Sequence, residues 1–333
     1  MAKLGVLVGE DRWSFFREIH EELTQHYTTT IFQRKSYAVP FFYNKINATL
    51  YFRALRRTLQ QNDLCFFEWA SDLLMHASRM PKTCKVVTRL HSFELFEWAP
   101  QINWNFVDRV ILVSEFMRQR FVEYYPQHAQ KAVVVFNGRP LELFQPVVHG
   151  PFQFNLGMVC SISPIKRVYE TVLMFHQLQA DGYAARLYIA GEPAGDHRYA
   201  LAVERLVKHL GLQDHIFFEG QISDIPSWLQ KIDIFISNSF WEGQQVALLE
   251  AMAAGCYCLS HFWAGAEEML PTANLFVTEA ELRQQIVAYA GLPHYEQQQL
   301  QAQLRTLACE RFDIQQTKVQ IRQIVREVLA ESL

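Results

Sequence analysis

The residues best suited to chemistry in this chain of 333 residues are two glutamates, Glu242 and Glu250, in the run Asn238-Ser-Phe-Trp-Glu-Gly-Gln-Gln-Val-Ala-Leu-Leu-Glu-Ala-Met-Ala-Ala-Gly255. The run follows an apolar segment, Asp233-Ile-Phe-Ile-Ser237, whose pattern is that of a strand. From Gln244 to Ala254 it continues as a helix rich in Ala, Leu and Met, which Gly255 stops. A spacing of eight residues is a little over two helical turns, so both carboxylates can face one side of a cleft. Between them the backbone N–H groups of Gly243, Gln244, Gln245 and Val246 are the unpaired donors of a helix start, with the positive end of the helix dipole behind them. Such a place suits a phosphate.

Something must hold that turn in place, and the rest of the chain supplies alternating strands and helices. Apolar strand-like runs recur at Lys3–Val8, Thr28–Gln33, Asp63–Trp69, Lys85–His91, Arg109–Ser114 and Lys131–Phe136. Further runs follow at Asn155–Ile162, Arg186–Glu192 and His215–Ile222. Near-continuous apolar strands separated by helical patterns predict parallel sheets covered on both faces, an α/β architecture. Ligands of such sheets collect at the carboxyl ends of the strands. The chain length favours two domains. Charge agrees: residues 1–150 carry eighteen Lys and Arg against fourteen acids, and the remainder thirteen against twenty. Any anionic acceptor or membrane surface would therefore meet the N-terminal half. A poorly periodic segment with Pro140, Pro146 and Pro151 reads as the linker. Six cysteines without a Cys-x-x-Cys pair read as buried thiols of a reducing compartment, and no leader or membrane span is expected.

Several strand ends merit attention. Gly9 closes the first strand and lets a ligand approach the backbone, ahead of a helix opening at Glu10-Asp-Arg-Trp-Ser14 and carrying Phe15 and Phe16. Glu68 and Asp72 follow the third strand, where Ser71 or Asp72 could equally cap a helix. His91 ends the fourth strand, a position that suits either substrate contact or structure. Beyond it Phe93, Phe96, Trp98, Trp104 and Phe106 could form an aromatic lip, or simply core. A helix at 44–61 sets Lys45, Arg53, Arg56 and Arg57 near Phe41, Phe42, Tyr43 and Tyr51, which suits an anionic lipid surface or an ordinary solvated face. In the C-terminal half Lys166 stands near a helix start, where a cation is disfavoured unless it pairs a diphosphate. Neither Asp-x-Asp nor a His/Cys cluster with metal-ligand spacing occurs.

The Glu-x7-Glu spacing of Glu242 and Glu250, with Glu-Ala-Met-Ala-Ala-Gly following, resembles the donor-sugar motif of retaining glycosyltransferases of the GT-B fold, in particular family 4. The resemblance implies two Rossmann-like domains, 1–145 for the acceptor and 146–312 for the nucleotide-sugar donor, facing each other across a cleft. A helix over 313–333 would return to the first domain. Asn137-Gly138 followed by Phe144 and Pro146 resembles the crossover between them. The implied activity is that of a retaining hexosyltransferase that moves a sugar from a nucleoside diphosphate sugar to an acceptor hydroxyl, without metal or other cofactor. Glu242 would hold donor-sugar hydroxyls, Glu250 the ribose, Lys166 and Arg167 the diphosphate, and Gln221 and Ile222 the base. His91 would stand near the reacting sugar, and Gly9 would face the donor phosphates.

Two departures from the family pattern stand out. Ser161 occupies the place of an Arg that normally binds pyrophosphate, and Gln245 the place of a second Gly. A side chain at 245 would either crowd the phosphate or donate a hydrogen bond to it. Rival readings are a sugar-nucleotide epimerase and a non-catalytic partner subunit of the same fold. The acceptor is open among glycan, lipid-linked sugar and protein, no nucleic acid is expected, and the expected location is the cytoplasm or the inner face of a membrane, met peripherally through the N-terminal domain.

Overall fold

The computed structural model describes residues 1–9, 13, 16–35, 43–146, 152–195 and 197–331. The expected helix opening at Glu10, together with Phe15, Phe41, Phe42 and Pro151, lies outside the described residues. The chain divides into two units, Met1–Gly138 with Ile314–Leu333, and Arg139–Asp313.

In the first unit β1 (Lys3–Leu7), β2 (Thr28–Ile31), β3 (Leu64–Phe67), β4 (Lys85–Leu90), β5 (Arg109–Leu112) and β6 (Ala132–Val134) form a six-stranded sheet in the order β2-β1-β3-β4-β5-β6. All pairings are parallel. The central strands β3 and β4 are buried at every position, which is why they read as continuous apolar runs. Helices α1 (Arg17–His26), α2 (Tyr43–Gln61), α3 (Asp72–Ala77), α4 (Glu94–Glu97) and α5 (Glu115–Tyr124) alternate with them. Ser114 caps α5 by accepting from the Met117 N–H, while Ser71, although at the N-cap of α3, makes no such bond.

The second unit repeats the plan. Strands β7 (Asn155–Val159), β8 (Arg186–Ala190), β9 (Ile216–Gly220), β10 (Ile234–Ser237), β11 (Tyr257–His261) and β12 (Leu275–Phe276) order as β12-β11-β10-β7-β8-β9, again parallel. Asp233 pins β10 to β7, its Oδ2 accepting the Asn155 N–H at 2.9 Å and the Gln153 N–H at 3.1 Å. Helices α6 (Val168–Ala180), α7 (His197–His209), α8 (Ile225–Leu229), α9 (Val246–Ala253), α10 (Glu279–Ala290) and α11 (His294–Phe312) complete it. The chain then re-enters the first unit as α12 (Ile314–Ala330), whose Ile314, Ile321, Ile324, Val325 and Val328 join Leu4, Val6, Phe66 and Ile111 in one core. Among the described residues no helix is long and apolar enough to cross a membrane.

Candidate donor site in the second unit

In each sheet the strand order reverses once, and a crevice opens at the carboxyl ends of the two strands flanking the reversal. In the second sheet these are β7 and β10. The loop after β7 carries Ser161 to Arg167, and the loop after β10 carries Asn238 to Gln245. The two loops are tied together. Asn238 Nδ2 donates to Thr171 Oγ1 at 3.0 Å and to the Arg167 carbonyl at 3.2 Å, and the Phe240 N–H reaches the Ile165 carbonyl at 3.1 Å. Across this tie Lys166 Nζ pairs with Glu242 Oε1, both side chains largely withdrawn from solvent. Two residues 76 positions apart in sequence are thereby set at one point.

The helix start lies in the same loop. The N-cap of α9 is Gln245, extended at φ −88°, ψ 104°, and its side chain makes no capping bond to the first-turn donors. The Gln245 side chain is 6% exposed, and its Oε1 accepts from the Ser237 hydroxyl at the end of β10. The carboxamide is thus turned inward rather than over the helix start, because a buried hydroxyl at the strand end needs an acceptor. Gly243 and Gln244 are buried and Val246 is half-buried. At the other end of α9 Arg305 reaches the Ala253 carbonyl and, at 2.7 Å, that of Phe144.

Glu250, two turns into α9, is 6% exposed and faces Arg139, whose Nε and Nη2 lie 2.8 and 2.7 Å from Oε1. Burial raises its pKa, and Arg139 opposes the rise. This contact, with a backbone bond from Arg139 N–H to the Phe312 carbonyl at 3.0 Å, puts Arg139 in the second unit, ahead of the expected boundary at 145. Arg167 goes elsewhere: its guanidinium pairs with Glu279 at the start of α10, and its backbone is left-handed at φ 51°, ψ 41°. It does not join Lys166 and Glu242. Gln221 and Ile222 follow Gly220 at the end of β9, the first exposed and the second half-buried, with no described contact to the Lys166–Glu242 pair. Beside them Gly191, at φ 135°, donates its N–H to the Gly220 carbonyl at 2.7 Å.

The first unit has its own reversal, between β1 and β3. Gly9 follows β1 there and lines a cavity of about 670 Å³ with Trp13, Trp69 and Trp98 among its walls. His91 stacks on Trp69, ring centroids 4.0 Å apart, and its Nε2 lies 3.2 Å from Glu68 Oε1. A carboxylate only accepts, so this contact assigns the proton to Nε2. Glu68 is fully buried and also takes Arg89 Nη1 at 2.7 Å, so it anchors His91 instead of presenting itself to an acceptor. Of the expected lip, Trp104 and Phe106 are core and only Phe93 and Phe96 stand exposed, Phe96 at 50%. Arg139, Asn238, Glu279 and the Glu68–Arg89 pair escaped the sequence reading. Each works through a partner remote in sequence, which no local pattern reveals.

Two six-stranded parallel sheets of this order, each flanked by helices, make an α/β protein of the GT-B type. The chain belongs to the GT-B glycosyltransferases: residues 153–290 match the family Glycosyl transferases group 1, and residues 6–143 match Glycosyltransferase Family 4. The Anabaena protein Alr3699/HepE, solved with UDP and glucose, superposes with a TM-score of 0.80 over 98% of this chain and 100% of that one, at 17% identity. Sucrose-phosphate synthase from Thermosynechococcus elongatus superposes with a TM-score of 0.80 over 100% of both chains, at 15% identity. At these identities the likeness is one of fold. In sequence, the lipopolysaccharide core biosynthesis mannosyltransferase LpsB of Rhizobium meliloti is 37% identical over 68 residues, 20% of this chain and 19% of that protein. The putative glycosyltransferase EpsD of Bacillus subtilis is 27% identical over 195 residues, 51% of this chain and 50% of that one. The chain thus spans half or less of the length of these two curated relatives.

Proposed function

We propose that the protein transfers a sugar from a nucleoside diphosphate donor to an acceptor hydroxyl, with retention of anomeric configuration and without a metal ion. The observation that carries this reading is the Lys166–Glu242 pair held between the β7 and β10 loops beside the uncapped start of α9. The cation and the backbone N–H groups at the start of α9 together match a diphosphate leaving group, whose growing charge they would stabilise in place of a metal. Glu250, held by Arg139 through Oε1, would accept ribose hydroxyls at Oε2, and Gln221 and Ile222 would border the base. The structure of Alr3699/HepE with UDP-glucose supports a nucleotide-sugar donor.

Retention by double displacement would need a carboxylate nucleophile under the sugar. Glu242 is instead held by a cation, which suits a positioner of donor hydroxyls. Front-face attack follows, with the departing phosphate taking the acceptor proton. His91, fixed by Glu68 and Trp69, is the catalytic candidate of the first unit. Gln245, turned toward Ser237, leaves the helix start clear for phosphate.

A thermal-shift panel of nucleoside diphosphates and their sugars tests the reading. One base is expected to raise stability by about 2.7 kcal/mol at a hundredfold excess over Kd. A flat response across the panel would contradict it.

A further inference from the structure

The helix α2 bears four cations and no acid: Lys45, Arg53, Arg56 and Arg57. Arg53 and Arg57 are one turn apart on the same face, an arrangement that weakens a helix through like-charge repulsion. They meet Arg34 and Lys35, which follow β2, around a groove of about 280 Å³ whose other walls include Leu50 and Tyr51. None of the described residues lining the groove is acidic. Arg34 lies over the Tyr51 ring at 5.1 Å, and its nearest described carboxylate, Asp72, is 3.9 Å away at long ion-pair range. Among the described residues no carboxylate pairs with Lys35, Arg53 or Arg57, although elsewhere in this unit Lys82, Arg109, Arg118 and Arg120 all have acidic partners. Four cations from two segments therefore converge on one concavity, and among the described residues only Arg34 has a carboxylate, Asp72, within ion-pair range.

The groove also adjoins the tryptophan-walled cavity that holds Gly9, since Phe32, Gln33, Arg34 and Lys35 line both. Cations at one end and indole rings at the other match a sugar or alcohol that carries a phosphoryl group: rings stack on the aromatic faces, and the phosphate oxygens take charge-assisted bonds from the guanidinium groups. We propose that this groove is an anion subsite, and that the acceptor of the transferred sugar bears a phosphoryl group that Arg34, Lys35, Arg53 and Arg57 hold. The word acceptor rests on the glycosyl-transfer reading; the anion subsite does not. The phosphoryl group can belong to a soluble sugar phosphate or to a lipid headgroup, and exposed Ile46 and Phe52 on the same helix offer an apolar flank in the second case.

The test compares the full chain with the double variant Arg53→Gln, Arg57→Gln. Both side chains are exposed, so the fold is expected to hold, and circular dichroism with a melting curve checks it. Binding is measured for glucose 6-phosphate against glucose, and for phosphatidylglycerol vesicles against phosphatidylcholine vesicles, at low and high salt. The expected result is salt-sensitive binding of the sugar phosphate or of the anionic vesicles, weakened about tenfold or more in the variant. The arm that responds names the source. Nucleoside diphosphate binding is measured alongside and is expected to be unchanged in the variant. If neither arm binds, or binding is equal in both proteins, the subsite is overturned. If the anion arm responds while no nucleoside diphosphate binds, the donor reading falls and the subsite stands.

Discussion

At the scale of single residues, the candidate site is a set of opposite charges paired across the sequence: Lys166 with Glu242, Arg139 with Glu250, Arg167 with Glu279. Glu250 illustrates the consequence. Its pKa is raised by burial, so between its unfolded and folded values the native state binds the extra proton, and the stability it contributes falls as pH rises through the folded value. Arg139 limits that loss. In Arg139→Met the carboxyl is left buried without its cation, its pKa rises further, and the variant is expected to be less stable by about 3 kcal/mol at neutral pH. The deficit shrinks below the carboxylate range, where Glu250 is protonated in both proteins. Urea titrations of wild type and variant at pH values on either side of that range check the sign; a deficit independent of pH would count against it. The glutamates themselves were legible from spacing and from the glycine that follows, but Arg139 was not, because its partner is 111 positions away.

At the scale of elements, the proposed donor site rests on the strand-to-helix turn after β10, whose N-cap side chain does not bond the first turn of α9. Gln245 is the telling residue. Sequence alone allowed a side chain lying over the phosphate position; the structure turns it to Ser237, a choice set by a buried hydroxyl that the linear pattern does not display. Gln245→Ala is expected to cost about 1 to 2 kcal/mol through the orphaned hydroxyl, while nucleotide affinity stays near that of wild type. Calorimetry on one sample reads both. At the end of β8, Gly191 adopts a φ of 135° and a Cβ there would meet the Cys160 carbonyl carbon at 2.7 Å. Gly191→Ala is therefore expected to lower stability by about 3 kcal/mol and to weaken nucleotide binding through the displaced β7 loop. A variant that melts and binds like wild type would show that the loop accommodates the methyl group. The elements themselves were well marked: apolar strand runs and intervening helical periods located ten of the strands to within a few residues. The two-residue β12 is too short to leave a pattern, and the stop between α10 and α11 rests on one Gly-Leu-Pro turn.

At the scale of the whole molecule, the charge asymmetry and the Pro-containing segment after the sixth strand signalled two domains, and the units of the structure are Met1–Gly138 with Ile314–Leu333, and Arg139–Asp313. The return of α12 to the first unit depends on apolar residues that match a distant sheet, which periodicity indicates but cannot assign. Ile321 is fully buried in that core, so Ile321→Ala is expected to cost about 3 kcal/mol, seen as a lowered denaturant midpoint. The functional account turns on whether the second unit divides its labour between Glu242, for the sugar, and Glu250, for the nucleotide. Titration of the nucleoside diphosphate chosen by the thermal-shift panel into wild type, Glu242→Ala and Glu250→Ala, with turnover measured on the same preparations, tests that division directly. The account predicts an affinity loss of about 10- to 100-fold for Glu250→Ala, and for Glu242→Ala near-normal nucleotide affinity with a strong fall in turnover. Equal losses of affinity in both variants, or none in either, would contradict it.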